Sequence, residues 1–151
     1  MTRTLAQILI DAGPLIALID VRDKQNHPGC LAAFQALSTA PLTTWPCVAE
    51  ASYLLGQING WLAQAMLLGL LKSGSIVIHN TRHDTRHDTR ETELERIHQL
   101  MEQYQNVPMD LADASLVSLA ELFGIRQIIT LDKDFFIYRI NDKDSFDVIK
   151  P

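Results

Sequence analysis

The sequence contains little cysteine, and its two cysteines form no recognisable motif. Cys30 and Cys47 belong to no Cys-x-x-Cys pair and show no zinc-ligand spacing. The pattern therefore gives no support for a structural zinc site or for a disulfide-rich secreted domain. We expect both thiols to be reduced core residues of a cytoplasmic protein, and a disulfide is the less favoured alternative.

A long apolar run is also missing. No stretch approaches the roughly 20 apolar residues that a membrane-spanning helix needs. The N-terminus superficially resembles a signal peptide, because Arg3 precedes an apolar stretch. Asp11 and the pair Gly13-Pro14 interrupt that stretch, and no small-residue cleavage motif follows cleanly. We therefore expect a protein that is not exported and does not cross a membrane.

Basic residues are outnumbered. The chain has 13 Lys and Arg against 18 Asp and Glu, for a net charge of −5. Affinity for nucleic acid usually comes from Lys and Arg that neutralise phosphates, so the overall sign predicts weak non-specific binding of nucleic acid. A cation held by several acids would offset this locally, because it would present positive charge to a phosphate.

Strand and helix signals alternate along the chain. Its 151 residues, 47% hydrophobic and 21% charged, are typical of one soluble globular domain covering 1–151. We predict an α/β domain with a largely parallel sheet. The predicted strands cover 6–10, 42–43, 75–79, 127–131 and 147–149, and the predicted helices cover 14–21, 27–38, 46–58, 61–72, 92–105 and 110–123.

Several residues set the expected helix ends and faces. Asn26 can cap the second helix, and Asn59-Gly60 separates the third helix from the fourth. Gly124 is expected to end the last helix. The inward face of helix 92–105 is predicted to carry Leu94, Ile97 and Met101.

Four carboxylates stand among apolar residues, where burial is expected. Asp11 follows the first strand, Asp132 follows the strand near 127–131, and Glu50 and Asp113 lie on apolar helix faces. Buried, unpaired carboxylates are costly, and several together repel one another. A hard divalent cation with oxygen ligands resolves both problems. The sequence therefore predicts a Mg²⁺ or Mn²⁺ site where the carboxyl ends of parallel strands meet.

Each acid also has a structural alternative. Asp11 can cap the helix that Pro14 opens, and Asp110 can cap the helix that carries Asp113. We take capping as the main role of Asp110 and metal binding as that of Asp113, whose face is apolar. Glu50 could instead form a buried salt bridge. Asp134 is expected to start a short helix rather than to bind metal.

The segment 81–90 repeats Thr-Arg-His-Asp in tandem. If it is helical, arginines at spacing four share one face and histidines another. An RNA-contacting stripe or a zinc site would use those faces. We favour a solvated extension in which Asp and Arg pair locally, because charge runs are usually solvated.

Four motifs together resemble the VapC-like group of PIN-domain proteins. They are LIDAGPLIAL around Asp11, TWPCVAEASYLL around Glu50, VPMDLADASLV around Asp113 and ITLDKDF around Asp132. Their order and approximate spacing fit the family over nearly the whole chain, and the last two are the most specific. Many family members have Ser or Thr two residues after the first Asp, where this chain has Gly13.

The resemblance implies a three-layer α/β/α fold and a Mg²⁺- or Mn²⁺-dependent ribonuclease. It also implies a toxin that is restrained by a cognate antitoxin protein. By the same resemblance the acidic site is Asp11, Glu50, Asp113 and Asp132, with Thr130 as an accessory hydroxyl. When bound, the cation would lower the pKa of a water and stabilise charge on the phosphate.

Two other functions remain open at this point. A haloacid-dehalogenase-like phosphatase would have Asp-x-Asp after its first strand, and Gly13 disfavours it. A binding module that keeps the fold and has lost catalysis is disfavoured because all four acids are present.

The helices at 46–58 and 61–72 carry more apolar residues than one buried face needs. In the second of them the apolar side chains spread around much of the helix: Trp61, Leu62, Met66, Leu67, Leu70 and Leu71. A soluble monomer rarely exposes a large apolar patch. We expect a second copy, forming a homodimer, or an antitoxin segment to cover part of this surface, unless neighbouring helices cover it within one chain.

Overall fold

A five-stranded parallel sheet forms the centre of the protein. The computed structural model describes residues 7–79 and 89–151. The sheet has the order β3-β2-β1-β4-β7, and all its neighbouring strands are parallel. Its strands are β1 Ile8–Ile10, β2 Leu42–Thr43, β3 Val77–Ile78, β4 Gln127–Ile129 and β7 Asp147–Ile149. A separate antiparallel pair consists of β5 Arg139–Ile140 and β6 Asp144–Ser145.

The apolar run of β1 explains its central position. Leu9 and Ile10 are fully buried, as expected for a strand covered on both faces. Leu9 pairs with Leu42 on one side and with Ile128 on the other. The chain adds β2 and β3 on the first side and β4 and β7 on the second. The direction of sheet growth therefore reverses between β1 and β4, and ligands bind at such a reversal beyond the carboxyl ends of the strands.

In the part of the chain that the structure describes, five helices flank the sheet, which confirms the predicted α/β fold. They are α1 Ala12–Ile19, α2 His27–Gln35, α3 Trp45–Lys72, α4 Thr89–Gln103 and α5 Leu111–Phe123. Helix α1 packs against α2 and α3, and α4 packs against α5. Gly124 ends α5 in a left-handed conformation, as predicted. Both cysteines are buried and free.

Helix α3 contains the predicted break. Asn59 and Gly60 leave helical geometry, and Gly60 has φ +64°. By length and composition alone, α3 is apolar enough to cross a membrane. The break divides it into two segments, each shorter than the roughly 20 residues that a span requires.

The second helix begins at His27 as predicted, but the predicted capping bond and the predicted helix end were wrong. Asn26 makes no side-chain capping bond, and its side-chain amide donates to Asp23 at 3.0 Å instead. Its backbone is already in the right-handed helical region, so its side chain is not placed as a cap would be. The helix also ends at Gln35, three residues earlier than predicted.

The predicted inward face of α4 was wrong at one residue. Leu94 is 68% exposed, whereas Leu100 is fully buried. Ile97 and Met101 pack against the core as predicted. The core-facing residues of α4 therefore lie towards its second half, around Leu100 and Met101. The Thr-Arg-His-Asp repeat lies largely outside the described residues.

The hairpin of β5 and β6 was not predicted. Asn141 and Asp142 have φ of 53° and 58°, and the N–H of Lys143 donates to the carbonyl of Ile140 at 3.1 Å. Asn and Asp tolerate this left-handed conformation better than most residues do. The hairpin follows directly after Tyr138, a residue of the site described next.

Candidate metal centre

Asp11 lies just past the carboxyl end of β1. Its backbone N–H donates to the carbonyl of Ile129 at 3.1 Å, which extends the β1–β4 pairing by one residue. Its Oδ1 accepts a 2.7 Å hydrogen bond from the N–H of Ala12 and caps α1. Its Oδ2 accepts a 2.9 Å hydrogen bond from the hydroxyl of Thr130. The capping and site positions predicted for Asp11 therefore occur together.

Asp113 stands in the first turn of α5. Asp110 caps this helix by accepting the N–H of Asp113 at 2.8 Å, as predicted. The Asp113 side chain is buried, and its Oδ2 accepts the hydroxyl of Tyr138 at 2.8 Å. Two neighbours, one on its backbone and one on its side chain, thus fix this carboxylate.

Asp132 follows β4 and begins a 3₁₀ helix, Lys133–Phe136. Its Oδ1 accepts the N–H of Asp134 at 2.9 Å, and its own N–H donates to Thr130 Oγ1 at 3.0 Å. The residue that starts this short helix is therefore Asp132, whereas the sequence predicted Asp134. Thr130 joins the two strand ends, because its hydroxyl contacts both Asp11 and Asp132.

The three aspartates form one cluster. Asp11, Asp113 and Asp132 each offer an oxygen, and these oxygens lie within 4.8 Å of one another. Within 7–79 and 92–151, no Lys or Arg forms an ion pair with any of them. Three close negative charges without a basic partner favour a bound cation. Oxygen ligands suit a hard ion such as Mg²⁺ or Mn²⁺.

Burial disfavours the ionised forms of the Asp11 and Asp113 carboxylates and raises their pKa values. Burial raises the pKa of Asp11 from 3.8 to about 6, with the charges of Asp132 and Glu50 adding and the hydrogen bonds from Thr130 and Ala12 opposing. Burial raises the pKa of Asp113 to about 7, against the opposing hydrogen bond from Tyr138. Ionising both groups without a cation is therefore costly.

Glu50 lines the same cavity as the three aspartates, but it is more exposed than they are. The cavity measures about 260 Å³ and is lined by Asp11, Ala12, Gly13, Glu50, Asp110, Asp113, Leu131 and Asp132. The predicted inward position of Glu50 was wrong, because its side chain is exposed and stands outside the three-aspartate cluster. Its neighbours Cys47 and Ala51 are fully buried. Glu50 lies at the margin of that buried stripe, where α3 meets the open cavity.

Partial burial raises the pKa of Glu50, and the charges of Asp110 and Asp132 add to the effect. All four acids predicted for the site, together with Asp110, thus line one cavity. Thr130 lies directly behind it, in contact with Asp11.

No sequence signal identified Tyr138 as a residue of the site. Its ring is fully buried and packs edge-on against Tyr104 and Phe135, with ring centroids 5.1 Å apart in each case. A buried tyrosine hydroxyl normally requires a partner, and here the partner is Asp113. The aromatic sequence Phe135-Phe136-Ile137-Tyr138 signals burial, but no spacing connects it to Asp113.

Comparison with known proteins gives a relative in sequence and relatives in fold. No family model matches the chain. The chain is 26% identical to Ribonuclease VapC26 of Mycobacterium tuberculosis (strain ATCC 25618 / H37Rv) over 129 residues, which cover 85% of this chain and 89% of that protein.

One structural relative is the crystal structure of Mycobacterium tuberculosis VapC20, described as a sarcin-ricin loop cleaving toxin. The TM-score is 0.74 at 15% identity, over 91% of this chain and 99% of that chain. This likeness establishes a shared fold, with the helix-flanked parallel sheet described above.

Proposed function

We propose that this chain, which is a VapC-like PIN-domain protein by its sequence relative and its fold, is a metal-dependent endoribonuclease and the toxin of a toxin–antitoxin pair. The cluster of Asp11, Asp113 and Asp132 is the observation that carries the proposal, because three unpaired carboxylates within 4.8 Å suit a divalent cation. Hydrolysis of a phosphodiester is the chemistry that such a site supports.

Each side chain then has a distinct task. Asp11, Asp113 and Asp132 would hold Mg²⁺ or Mn²⁺, and the all-oxygen ligand set favours these ions over zinc. When bound, the cation lowers the pKa of a coordinated water and stabilises negative charge on the phosphate. Thr130 keeps the Asp11 carboxylate in place through its 2.9 Å hydrogen bond, and Asp110 fixes the backbone of Asp113.

The proton of the attacking water requires an acceptor. Glu50 faces the same cavity, and partial burial together with the charges of the surrounding acids raises its pKa, which strengthens it as a base. Asp132 stands in the same cavity and is the alternative acceptor. The separate variants Glu50→Gln and Asp132→Asn, compared by their pH–rate profiles, would identify the base.

The test is cleavage of RNA by the purified protein with Mg²⁺ or Mn²⁺ and with a chelator. Asp11→Asn and Asp113→Asn should each abolish cleavage. Asp147→Asn is the matched control, because Asp147 is exposed and pairs with Gln127 at the opposite end of the sheet. Equal cleavage by wild type and both site variants would contradict the proposal.

The same experiment separates the alternatives. A binding module without catalysis would retain RNA and cut none at any metal concentration. A phosphatase would release phosphate from a small phosphate monoester and leave internal RNA bonds intact. Because VapC20 is described as cleaving the sarcin-ricin loop, the RNA mixture should include ribosomal RNA. Sequencing of the cut ends would then identify the target.

An exposed apolar surface supports a protein partner. Tyr53, Trp61, Leu62 and Met66 of α3 are all more than half exposed, and none is covered by α2 or α4. We call these four residues the α3 surface. An antitoxin helix with apolar anchors at helical spacing would fit such a surface, and a homodimer would cover it in the same way. Two reduced cysteines and the absence of any disulfide motif agree with a cytoplasmic site of action.

A further inference from the structure

A second cavity lies beside the metal centre. It measures about 190 Å³ and is lined by Thr130, Leu131, Asp132, Lys133, Phe136, Val148, Lys150 and Pro151. Leu131 and Asp132 also line the acidic cavity, so the two cavities share one wall. Lys150 and Pro151 follow β7, whose carboxyl end lies at the same edge of the sheet as those of β1 and β4.

The two cavities differ in chemistry. The first is lined by five acids, whereas the second contains two lysines and an aromatic ring. The ammonium of Lys150 lies 5.2 Å from the centroid of the Phe136 ring. Lys133 and Lys150 thus place positive charge next to the acidic site of a chain whose net charge is −5.

The 3₁₀ helix places the side chains of two consecutive phenylalanines in different environments. Phe135 is fully buried, and its ring packs edge-on against Tyr138 and Phe146. Phe136 is 49% exposed at the wall of the second cavity. The fold therefore uses the first ring in the core, and the second ring is available to a ligand.

We propose that Phe136, Val148, Lys133 and Lys150 form a subsite that binds the nucleotide next to the cleaved bond of a single-stranded RNA. The base would contact Phe136 and Val148, and its phosphate would meet the two lysines. We call these four residues the Phe136 subsite. The inference rests on the proposed ribonuclease function and specifies how the strand is held beside the metal centre.

Three features favour a single-stranded nucleotide as the occupant. Bases of single strands stack on aromatic side chains, and cationic side chains follow the backbone. The cavity is smaller than the roughly 300–1,000 Å³ of a pocket for a drug-sized ligand, so it suits one planar ring system. It also adjoins the carboxylates that would act on the neighbouring phosphate.

The first test uses a short single-stranded RNA that carries the mapped cut, and a copy in which the base next to the cut is removed. Binding is measured by fluorescence anisotropy with Ca²⁺ in place of Mg²⁺. Phe136→Ala should weaken binding of the intact RNA roughly 5- to 150-fold, the range expected for one stacked base. The same variant should bind the abasic RNA as the wild type does.

Phe123→Ala is the matched control, because Phe123 is 46% exposed and lines neither cavity. Phe136→Leu keeps an apolar side chain and removes the aromatic ring, so it should show most of the loss without a folding defect. Thermal unfolding of each variant checks the fold. In cleavage assays with Mg²⁺, Phe136→Ala should raise KM more than it lowers kcat.

The lysines are tested by the dependence of affinity on salt. Lys133→Ala and Lys150→Ala should each reduce the slope of log K against log salt concentration by about 0.7, the value for one phosphate contact on a single strand. Lys143→Ala, in the turn between β5 and β6, should leave the slope unchanged.

The two proposals fail in different ways. If the wild type cuts no RNA with any metal, the ribonuclease proposal is wrong. If the wild type cuts RNA and the Phe136 variants bind intact and abasic RNA as the wild type does, the Phe136 subsite is wrong and the ribonuclease proposal stands. A Phe136→Ala variant that loses stability without a base-dependent loss of affinity also overturns the subsite.

Discussion

The hydroxyl of Tyr138 donates a hydrogen bond to Oδ2 of Asp113 at 2.8 Å, from a ring that is fully buried. This bond lowers the pKa of Asp113, while burial raises it to about 7. Asp113 in turn raises the pKa of Tyr138, although burial is the larger cause. Tyr138 is therefore a positioning residue for a carboxylate that must be ionised to bind a cation.

Tyr138→Phe should weaken the site without removing an acid. The pKa of Asp113 should rise further, so the acidic limb of the pH–rate profile should move to higher pH. Stability should change by only about 1 kcal/mol, the usual net value of one hydrogen bond. Tyr53→Phe is the control, because the exposed hydroxyl of Tyr53 only accepts from Gln57. An unchanged acidic limb would remove Tyr138 from this role.

Asp113→Asn should abolish cleavage and leave the metal-free protein at least as stable as the wild type. The substitution removes a buried charge that repels Asp110, Asp11 and Asp132. Each pKa unit of relieved penalty is worth about 1.4 kcal/mol, or roughly 3–6 °C in Tm for a domain of this size. Thermal unfolding in chelator measures the stability, and an RNA cleavage assay measures the activity. A fully active variant would contradict the assignment of Asp113 to the site.

The stability difference between this variant and the wild type should depend on pH. The pKa of Asp113 rises from 3.8 to about 7 in the folded protein. Between these values the folded state binds more protons than the unfolded state, so rising pH destabilises the wild type through this group. In chelator, the Tm advantage of Asp113→Asn should therefore grow from about pH 4 to pH 7 and then level off.

Added Mg²⁺ or Mn²⁺ should raise the Tm of the wild type above that of Asp113→Asn. A cation that binds the folded state raises its stability in proportion to the logarithm of concentration. The Tm of the wild type should thus rise with metal at pH 7 or above, and the Tm of Asp113→Asn should respond weakly. Equal responses would indicate that the cation binds elsewhere.

The sequence predicted the strand-end acids because their local signals agree with the fold. Asp11 and Asp132 each follow an apolar run that became β1 or β4, and parallel strands bring such ends together. Asp113 was predicted from its apolar face, and burial agrees. The break at Asn59-Gly60 was predictable for the same reason, since the signal is local.

The remaining features depend on contacts between distant segments. Glu50 belongs by periodicity to the buried stripe of α3, yet the cavity beside it leaves it exposed. Leu94 belongs by periodicity to the inner face of α4, yet its side chain is 68% exposed. Tyr138 reaches Asp113 only because the chain from β4 folds back over α5. Helical spacing cannot describe where a neighbouring segment ends or a cavity opens.

Gly13 leaves space that a side chain could fill. A Cβ added there would meet the Leu131 side chain at 3.6 Å, which is an ordinary contact. Gly13→Ala should therefore stabilise the protein by about 0.4–1 kcal/mol, because it restricts the unfolded chain. Gly13→Ser would add the hydroxyl common in the resembling family and should retain cleavage.

Gly60→Ala provides the contrasting measurement. Gly60 has open space around it but a φ of +64°. Alanine there should destabilise the protein by about 1 kcal/mol or more, because left-handed backbone is unfavourable for residues with a Cβ. Denaturant unfolding of the glycine variants decides both cases. A loss of stability in Gly13→Ala would show that the space beside Leu131 is not available.

The α3 surface should mediate association. Leu62 is 70% exposed and neighbours Trp61, which is 66% exposed. Placing a charge in a covered apolar interface is costly, so Leu62→Asp should convert a homodimer to monomers or abolish capture of the antitoxin. Leu94→Asp is the matched control, because Leu94 is 68% exposed on α4.

Light scattering on the purified wild type and both variants measures homodimer formation, and co-purification with any small protein encoded next to the gene tests for an antitoxin. The fold should survive both substitutions, since neither leucine belongs to the core, and unchanged thermal unfolding of the monomeric state would establish this. RNA cleavage by Leu62→Asp should also persist, because the acidic cavity does not include α3 beyond Glu50. A wild type that is monomeric at micromolar concentration and an antitoxin that binds Leu62→Asp as tightly as Leu94→Asp would together contradict a role for the α3 surface.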